Sequence, residues 1–177
     1  MGLQVRRAVI EDADRIGEVH VRSWQWAYDG LIDADVLAGL SIPDRIEGWR
    51  KRLAAENESS ATFVASRDGE VDGFVTVGAG REDVGGRAVG EVAAIYIRPE
   101  AAGTGTGNAL HEVGMSWLTE HGFSLARLWV LTGNVRARRF YERHGWRPDG
   151  ETKTDDHSGV QLHETRYVRR LGVPPQC

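Results

Sequence analysis

Apolar and polar positions change period several times along this chain of 177 residues, and each change marks an element. Residues 3–9 alternate, with Leu3 and Val5 set against Arg6 and Arg7, the pattern of an edge strand. Glu11, Asp12 and Asp14 then supply acid to a helix start. Ile16, Val19, His20 and Ser23 follow at the three- and four-residue spacing of an amphipathic helix. That helix runs into Trp24, Trp26 and Tyr28 and stops at Asp29 and Gly30. Helical patterns return over residues 32–40 and, after Ser41 and Pro43, over 44–56, where Ile46, Trp49 and Leu53 share a face. Strand-like runs at 62–66 and 71–77 flank Arg67-Asp68-Gly69-Glu70, a hairpin turn signal. The glycine-rich, charged segment 78–89 has the composition of a mobile loop.

The second half is organised around one stretch. Residues 92–97 are apolar and partly β-branched, the length of a buried strand, and Arg98-Pro99 closes them because proline has no N–H for a ladder. Gly103, Gly105 and Gly107 then alternate with Thr104 and Thr106, and Leu110, Val113, Gly114, Trp117 and Leu118 carry a helical pattern. A strand, a glycine-rich turn and a helix start together suit an anion. Glycines let the backbone come close, and the free N–H groups of the first turn face the ligand with the positive end of the dipole. The ligand group this order suggests is a phosphate or pyrophosphate. A P-loop is excluded, because Asn108-Ala109 follows Gly107 where Lys and then Ser or Thr are needed. The G-x-G-x-G spacing, and the loop between strand and first glycine, also fit a dinucleotide fingerprint poorly.

A strand over 125–131, a break at Thr132-Gly133 and a helix over 134–143 follow, the helix ended by His144-Gly145. Two last strands are expected, one after Trp146 and one over 160–170, with turns at Pro148-Asp149-Gly150 and His157-Ser158-Gly159. The order β-α-α-α-β-β-β-α-β-α-β-β describes a single mixed α/β sandwich over residues 1–172, with 173–177 as a flexible tail.

Composition narrows the chemistry. The net charge of −4 carries no basic excess for nucleic acid, and no basic amphipathic segment suits a membrane surface. No apolar run has the length of a spanning helix, and the amino terminus lacks the apolar region of a signal peptide, so a soluble, cytoplasmic protein is expected. Cys177 is the single cysteine and excludes an internal disulfide. His111-Glu112-Val113-Gly114-Met115 begins like a zinc-hydrolase H-E-x-x-H, but Met115 stands where the second ligand belongs, so no metal is expected. Asn134 and Tyr141, seven residues apart, share one face of their helix with Ala137 and Arg138 between them. Asn134 is also an ordinary N-cap and Tyr141 an ordinary core aromatic. Their occurrence beside the glycine loop favours a cofactor site.

Two blocks, residues 95–110 (Ile95-Tyr96-Ile97 through Gly107-Asn108-Ala109-Leu110) and 134–146 (Asn134-Val135-Arg136-Ala137 through Phe140-Tyr141-Glu142 to Gly145-Trp146), resemble the GNAT superfamily of N-acetyltransferases. The resemblance runs over about residues 4–170. The first block is similar to the family's Gln/Arg-x-x-Gly-x-Gly/Ala motif for acetyl-CoA, the second to its Asn…Ala…Phe-Tyr-Glu…Gly-aromatic signature. The resemblance implies a mostly antiparallel central sheet with splayed parallel strands, helices on both faces, and acetyl-CoA as cosubstrate in the V-shaped opening. By position, the backbone of Ile95, Tyr96 and Ile97 would bond the pantetheine, and the amides of Gly103, Thr104, Gly105, Thr106, Gly107 and Asn108 would hold the pyrophosphate. Asn134 would reach the pantetheine, Tyr141 would give a proton to the departing thiolate, and Arg138, with Arg139, is a candidate for the 3′-phosphate. Ala102 departs from the pattern at the Gln/Arg position, removing a polar contact and lowering the expected affinity.

The implied reaction is direct attack of an amine on the thioester, with no acyl-enzyme. Glu91, at the start of the central strand, is the first candidate base, and is equally readable as a strand-end glutamate facing water; His163, Glu164 and His20 follow. Trp24, Trp26 and Tyr28 fall near the acceptor pocket of the family, where they hold substrate or simply pack in the core. A primary amine of a small molecule is the favoured acceptor, with a protein amino terminus or lysine as the alternative. A non-catalytic acyl-CoA-sensing module is the rival that Ala102 supports, and a homodimer is implied by family habit alone.

Overall fold

In the computed structural model, residues 2–81, 83, 84, 88–157 and 160–172 are described; Ser158, Gly159 and the expected tail at 173–177 with Cys177 lie outside them. In chain order the elements are β1 (Gln4–Arg7), α1 (Ala13–Ala27), α2 (Ala34–Ala38), α3 (Ile42–Ala54), β2 (Ser60–Arg67), β3 (Glu70–Ala79) and β4 (Gly90–Ile97). The second half adds α4 (Thr106–Glu120), β5 (Leu125–Leu131), α5 (Val135–Arg143), β6 (Arg147–His157) and β7 (Val160–Arg170). The order is the one expected. A seven-stranded sheet runs β1-β2-β3-β4-β5-β7-β6, antiparallel at every junction except β4 with β5. A parallel pair needs a crossover, and α4 supplies it.

Local chemistry explains the boundaries. The β2–β3 turn places Asp68 (φ 50°) and Gly69 (φ 84°) in the left-handed region, the two-residue turn whose twist matches the strands. The helix expected over 32–40 shrinks to α2, because Asp33 accepts the Asp35 N–H and Gly39 closes it. That expected over 44–56 begins earlier, since Ser41 caps α3 and Pro43 sits in the first turn, where its missing N–H costs nothing. Pro148-Asp149-Gly150 is not a turn. The register between β6 and β7 shifts between Pro148 and Thr152, so these residues form a bulge inside β6. Of the loop expected at 78–89, Gly78 and Ala79 belong to β3, and Gly80 N–H donates to Val89 C=O at 2.8 Å.

Helices cover both faces of the sheet. On one, Leu110 and Leu118 of α4 and Tyr141 of α5 pack with Val75, Val77, Val92, Leu128 and Trp146. On the other, Ile16 of α1 and Trp49 of α3 pack with Val64 and Phe74. Among the described residues no helix is long and apolar enough to cross a membrane.

One irregularity sets up the site. β4 pairs with β5 only at Gly90↔Ala126 and Glu91↔Arg127. Against β3, Val92 faces Val77 and Ala94 faces Thr76, so Ala93 is an extra residue in β4. Such a bulge bends its strand. Beyond it β4 stays with β3 as far as Gly73↔Ile97, β5 stays with β7, and the two parallel strands separate.

Candidate active site

The gap between β4 and β5 opens into a cavity of about 350 Å³. The edge of β4 at Ile95, Tyr96 and Ile97 lines it, and among the described residues no strand pairs with that edge. Buried backbone N–H and C=O groups require partners, so this edge is a row of bonding positions for an extended ligand.

The loop after β4 forms the second wall, through Gly103, Gly105, Gly107 and Asn108. Gly105, the N-cap of α4, has φ 88°, which costs a residue with a Cβ about 1–2 kcal/mol. No side chain caps this helix and no acid stands in its first turn. Ala109 N–H is the first amide of α4 with a backbone acceptor, Gly105 C=O at 3.0 Å, leaving the earlier amides open. The threonines instead hold the loop together. Thr104 Oγ1 donates to Ala101 C=O at 2.7 Å and lies 3.0 Å from the buried Thr106 Oγ1, and neither side chain lines the cavity. Arg67 braces the same turn from β2, its Nη2 donating to Thr104 C=O at 2.9 Å. Nothing around Arg67 in the sequence signals this, because the contact spans 37 residues.

Helix α5 forms the third wall. Asn134 takes the ordinary capping role, its Oδ1 accepting Ala137 N–H at 3.1 Å, and it also lines the cavity while nearly buried. Tyr141 is buried, lines the same cavity, and packs edge-on to Phe140 and Trp146. Burial pushes its phenol well above the ordinary value, so it stays protonated at every working pH. Arg138 is turned elsewhere: its Nε donates to Tyr167 Oη at 3.0 Å and its Nη1 to Thr132 C=O at 3.1 Å, and it does not line the cavity. Arg139 is exposed and also stands outside the lining. The α5 arginines that line the opening are Arg136 and Arg143; the Arg136 guanidinium lies 3.8 Å from the Trp26 ring centroid and bridges α5 to α1.

The expected acceptor residues divide. Trp26 and Tyr28 line the cavity, whereas Trp24 is buried in the core with Ile32, Leu37 and Leu162. The Tyr28 and Tyr96 hydroxyls lie 3.3 Å apart, and burial raises both phenols. His20 belongs to the aromatic core, stacked on Tyr96 at 5.0 Å and accepting Trp49 Nε1–H at Nδ1, 3.0 Å away. His163 Nδ1 is 2.9 Å from Thr154 Oγ1, and Glu164 pairs with Lys153 at 3.2 Å.

Glu91 does not share the cavity of Tyr141. It lines a second one of about 420 Å³, and its Oε2 accepts from Arg127 Nη2 at 3.0 Å. Ala93 and Trp129 line both cavities, so the two adjoin where β4 and β5 begin to part. Among the described residues no group of three or more His, Cys, Asp or Glu side chains gathers to hold a metal.

These features suit an extended ligand that ends in phosphates: an unpaired strand edge along its length, an open helix start for the anion, and a protonated phenol beside it. The acetyltransferase (GNAT) family profile matches residues 19–146. The chain is 36% identical over 131 residues to an uncharacterized N-acetyltransferase, YuaI, of Bacillus subtilis (strain 168), covering 73% of this chain and 72% of that protein. It is 33% identical over 148 residues to the mycothiol acetyltransferase of Acidimicrobium ferrooxidans, covering 80% of this chain and 42% of that longer protein. The PaiA N-acetyltransferase of Thermoplasma acidophilum, solved in complex with coenzyme A, superposes with a TM-score of 0.73 at 20% identity, covering 96% of this chain and 99% of that one. That likeness is one of fold. The chain belongs to the GNAT family, and it is an N-acetyltransferase.

Proposed function

We propose that the protein transfers the acetyl group of acetyl-CoA directly to a primary amine of a small molecule. The single observation that carries the cofactor assignment is the unpaired edge of β4 leading to the uncapped start of α4. In this reading the backbone of Ile95, Tyr96 and Ile97 bonds the pantetheine, and the amides of Gly103 and of Gly105 to Asn108 hold the pyrophosphate, the Thr104 N–H being spent on Ala101 C=O at 3.3 Å. Ala102 offers no side-chain contact, and its N–H is spent on Pro99 C=O at 3.1 Å, so the backbone cradle carries the phosphates alone.

The amine nitrogen attacks the thioester carbonyl; a C–N bond forms, the C–S bond breaks, and the amine gives up a proton. Thiols ionise at about 8.5, below a tyrosine phenol, so sulfur departs as a thiolate that Tyr141 stabilises by donating a hydrogen bond. Glu91 takes the amine proton, directly or through water, from the adjoining cavity. Its ion pair with Arg127, 3.0 Å long, orients the carboxylate beside the junction of the cavities. A small acceptor is supported by that cavity and by the relative named for mycothiol acetylation.

Calorimetric titration with acetyl-CoA, with NAD as control, tests the cofactor; no heat at millimolar acetyl-CoA ends this reading. Thiol release with an amine panel then separates an enzyme from an acyl-CoA sensor, which binds without turnover. Tyr141→Phe is expected to lower kcat by about a hundredfold or more with acetyl-CoA affinity held within a few-fold. Lost affinity with unchanged turnover makes Tyr141 a binding residue only.

A further inference from the structure

Resting on the acetyltransferase reading, we propose that the second cavity binds an anionic group of the acceptor, so that the substrate is an amine that also carries a carboxylate or a phosphate. Four elements or their ends bring cations to this cavity: Arg52 from α3, Arg81 after β3, Arg127 from β5 and Lys153 from β6. Glu91 is the only carboxylate among its described lining residues. The protein as a whole is acidic, at −4, so this excess is local and runs against the global charge.

The cations are not all consumed by the fold. Arg127 pairs with Glu91 at 3.0 Å, and Lys153 pairs with Asp155 at 3.1 Å and Glu164 at 3.2 Å. Arg52 and Arg81 form no ion pair among the described residues, and each faces the other's charge. Burial first, and then Arg81, depress the Arg52 guanidinium, with Glu56 and Glu91 opposing. A ligand anion would offset the repulsion between the two guanidinium groups. The Arg52 guanidinium lies 5.5 Å from the Trp49 ring centroid, and Lys153 Nζ lies 4.9 Å from that of Trp129, so aromatic surfaces locate these cations.

Geometry separates this cluster from the cofactor's phosphates. The open helix start follows Ile97, whereas Glu91 lies at the other end of β4, and six residues of strand span about 20 Å. The cations therefore stand beside the junction at Ala93 and Trp129, on the side from which an acceptor meets the thioester. An amine of this kind has complementary partners for both ends: its ammonium faces Glu91 and its anion faces Arg52 and Arg81. A polycationic amine meets repulsion instead.

Matched acceptors test this by initial rates of thiol release: amino acids against their α-amides, and aminoalkyl phosphates against the corresponding amino alcohols. The anionic member of a pair is expected to have at least tenfold higher kcat/KM, and the pair with the larger ratio identifies carboxylate or phosphate. The double variant Arg52→Gln, Arg81→Gln should erase that ratio while the calorimetric Kd for acetyl-CoA stays within twofold. Equal or better use of the neutral members, preference for a diamine, absence of turnover with every anionic amine, or a ratio that survives in the double variant overturns the proposal. None of these results touches the cofactor reading, which fails separately if acetyl-CoA does not bind.

Discussion

Helices α4 and α5 both border the opening between β4 and β5, and they begin in opposite ways. At the start of α5, Asn134 turns its side chain back onto Ala137 N–H and satisfies the helix internally. At the start of α4, Gly105 has no side chain to turn back, no neighbour replaces it, and the first amides stay open. The difference is chemical: a capped end is finished within the chain, whereas an uncapped end needs a partner from outside. Read with the unpaired edge of β4, the open end marks the ligand side of the molecule, and the closed end contributes a wall.

Of the changes at the two helix starts, the largest effect on acetyl-CoA affinity is expected where the open end is disturbed. Gly105→Val forces a branched side chain into φ 88°, and acetyl-CoA affinity should fall at least tenfold, about 1.4 kcal/mol, by titration calorimetry. Gly122→Val, just beyond the other end of the same helix at φ 84°, is the control. A Cβ meets nothing within 4 Å at either glycine, so both variants share the backbone strain. Only the first should lose affinity; equal losses would remove the special role of the helix start.

A smaller effect is expected at the closed end. Asn134→Ala removes the cap and should cost about 1 kcal/mol of stability, read as a lower Tm, while Asn134→Asp keeps the cap and most of the stability. If Asn134→Asp restores stability but leaves acetyl-CoA affinity reduced, the side-chain amide serves the ligand as well as the helix.

The smallest effect comes from the seam joining the two helices. His111 of α4 accepts Trp146 Nε1–H at Nε2, 2.9 Å away, and lies against His144 at the end of α5. Burial, with His144 and Arg169 adding to it, pushes His111 down to about 3. Its folded value lies below the unfolded one of about 6.5, so the unfolded chain gains the proton first. The stabilisation is full above that value and declines as pH falls toward about 3. From about pH 8 to about pH 6.5 the loss attributable to this group is about 0.4 kcal/mol, steepening below. Urea unfolding of wild type and His111→Gln at both values checks it; parallel pH profiles would contradict the assignment.

Much of this molecule was legible in its sequence, and what was legible is local. The Asp68-Gly69 turn, the strand over 125–131 and the Gly103–Gly107 loop before a helix follow from turn chemistry and periodicity, which act over a few residues. The misplacements have local causes too. Ser41 and Asp33 moved two helix starts, and Pro148 entered a bulge rather than a turn. Arg138 was expected to share the cofactor face of Asn134 and Tyr141, but its side chain is drawn off that face by Tyr167 of β7 and by Thr132 C=O in the turn after β5. Arg67, Arg136 and Trp129 were overlooked on the same ground, since an arginine or tryptophan in a strand or helix looks alike whether it braces a loop or faces solvent.

By itself, then, the sequence determined the order of elements, the glycine loop and the membership of both motifs, because hydrophobic period, caps and turns are short-range properties. Tertiary structure alone decided that β4 leaves β5 after Glu91↔Arg127, that Glu91 lies across Ala93 from Tyr141's cavity, and that four cations from distant elements surround it. Strand pairing and charge clustering depend on which segments meet across the fold, and no window of neighbouring residues contains that information.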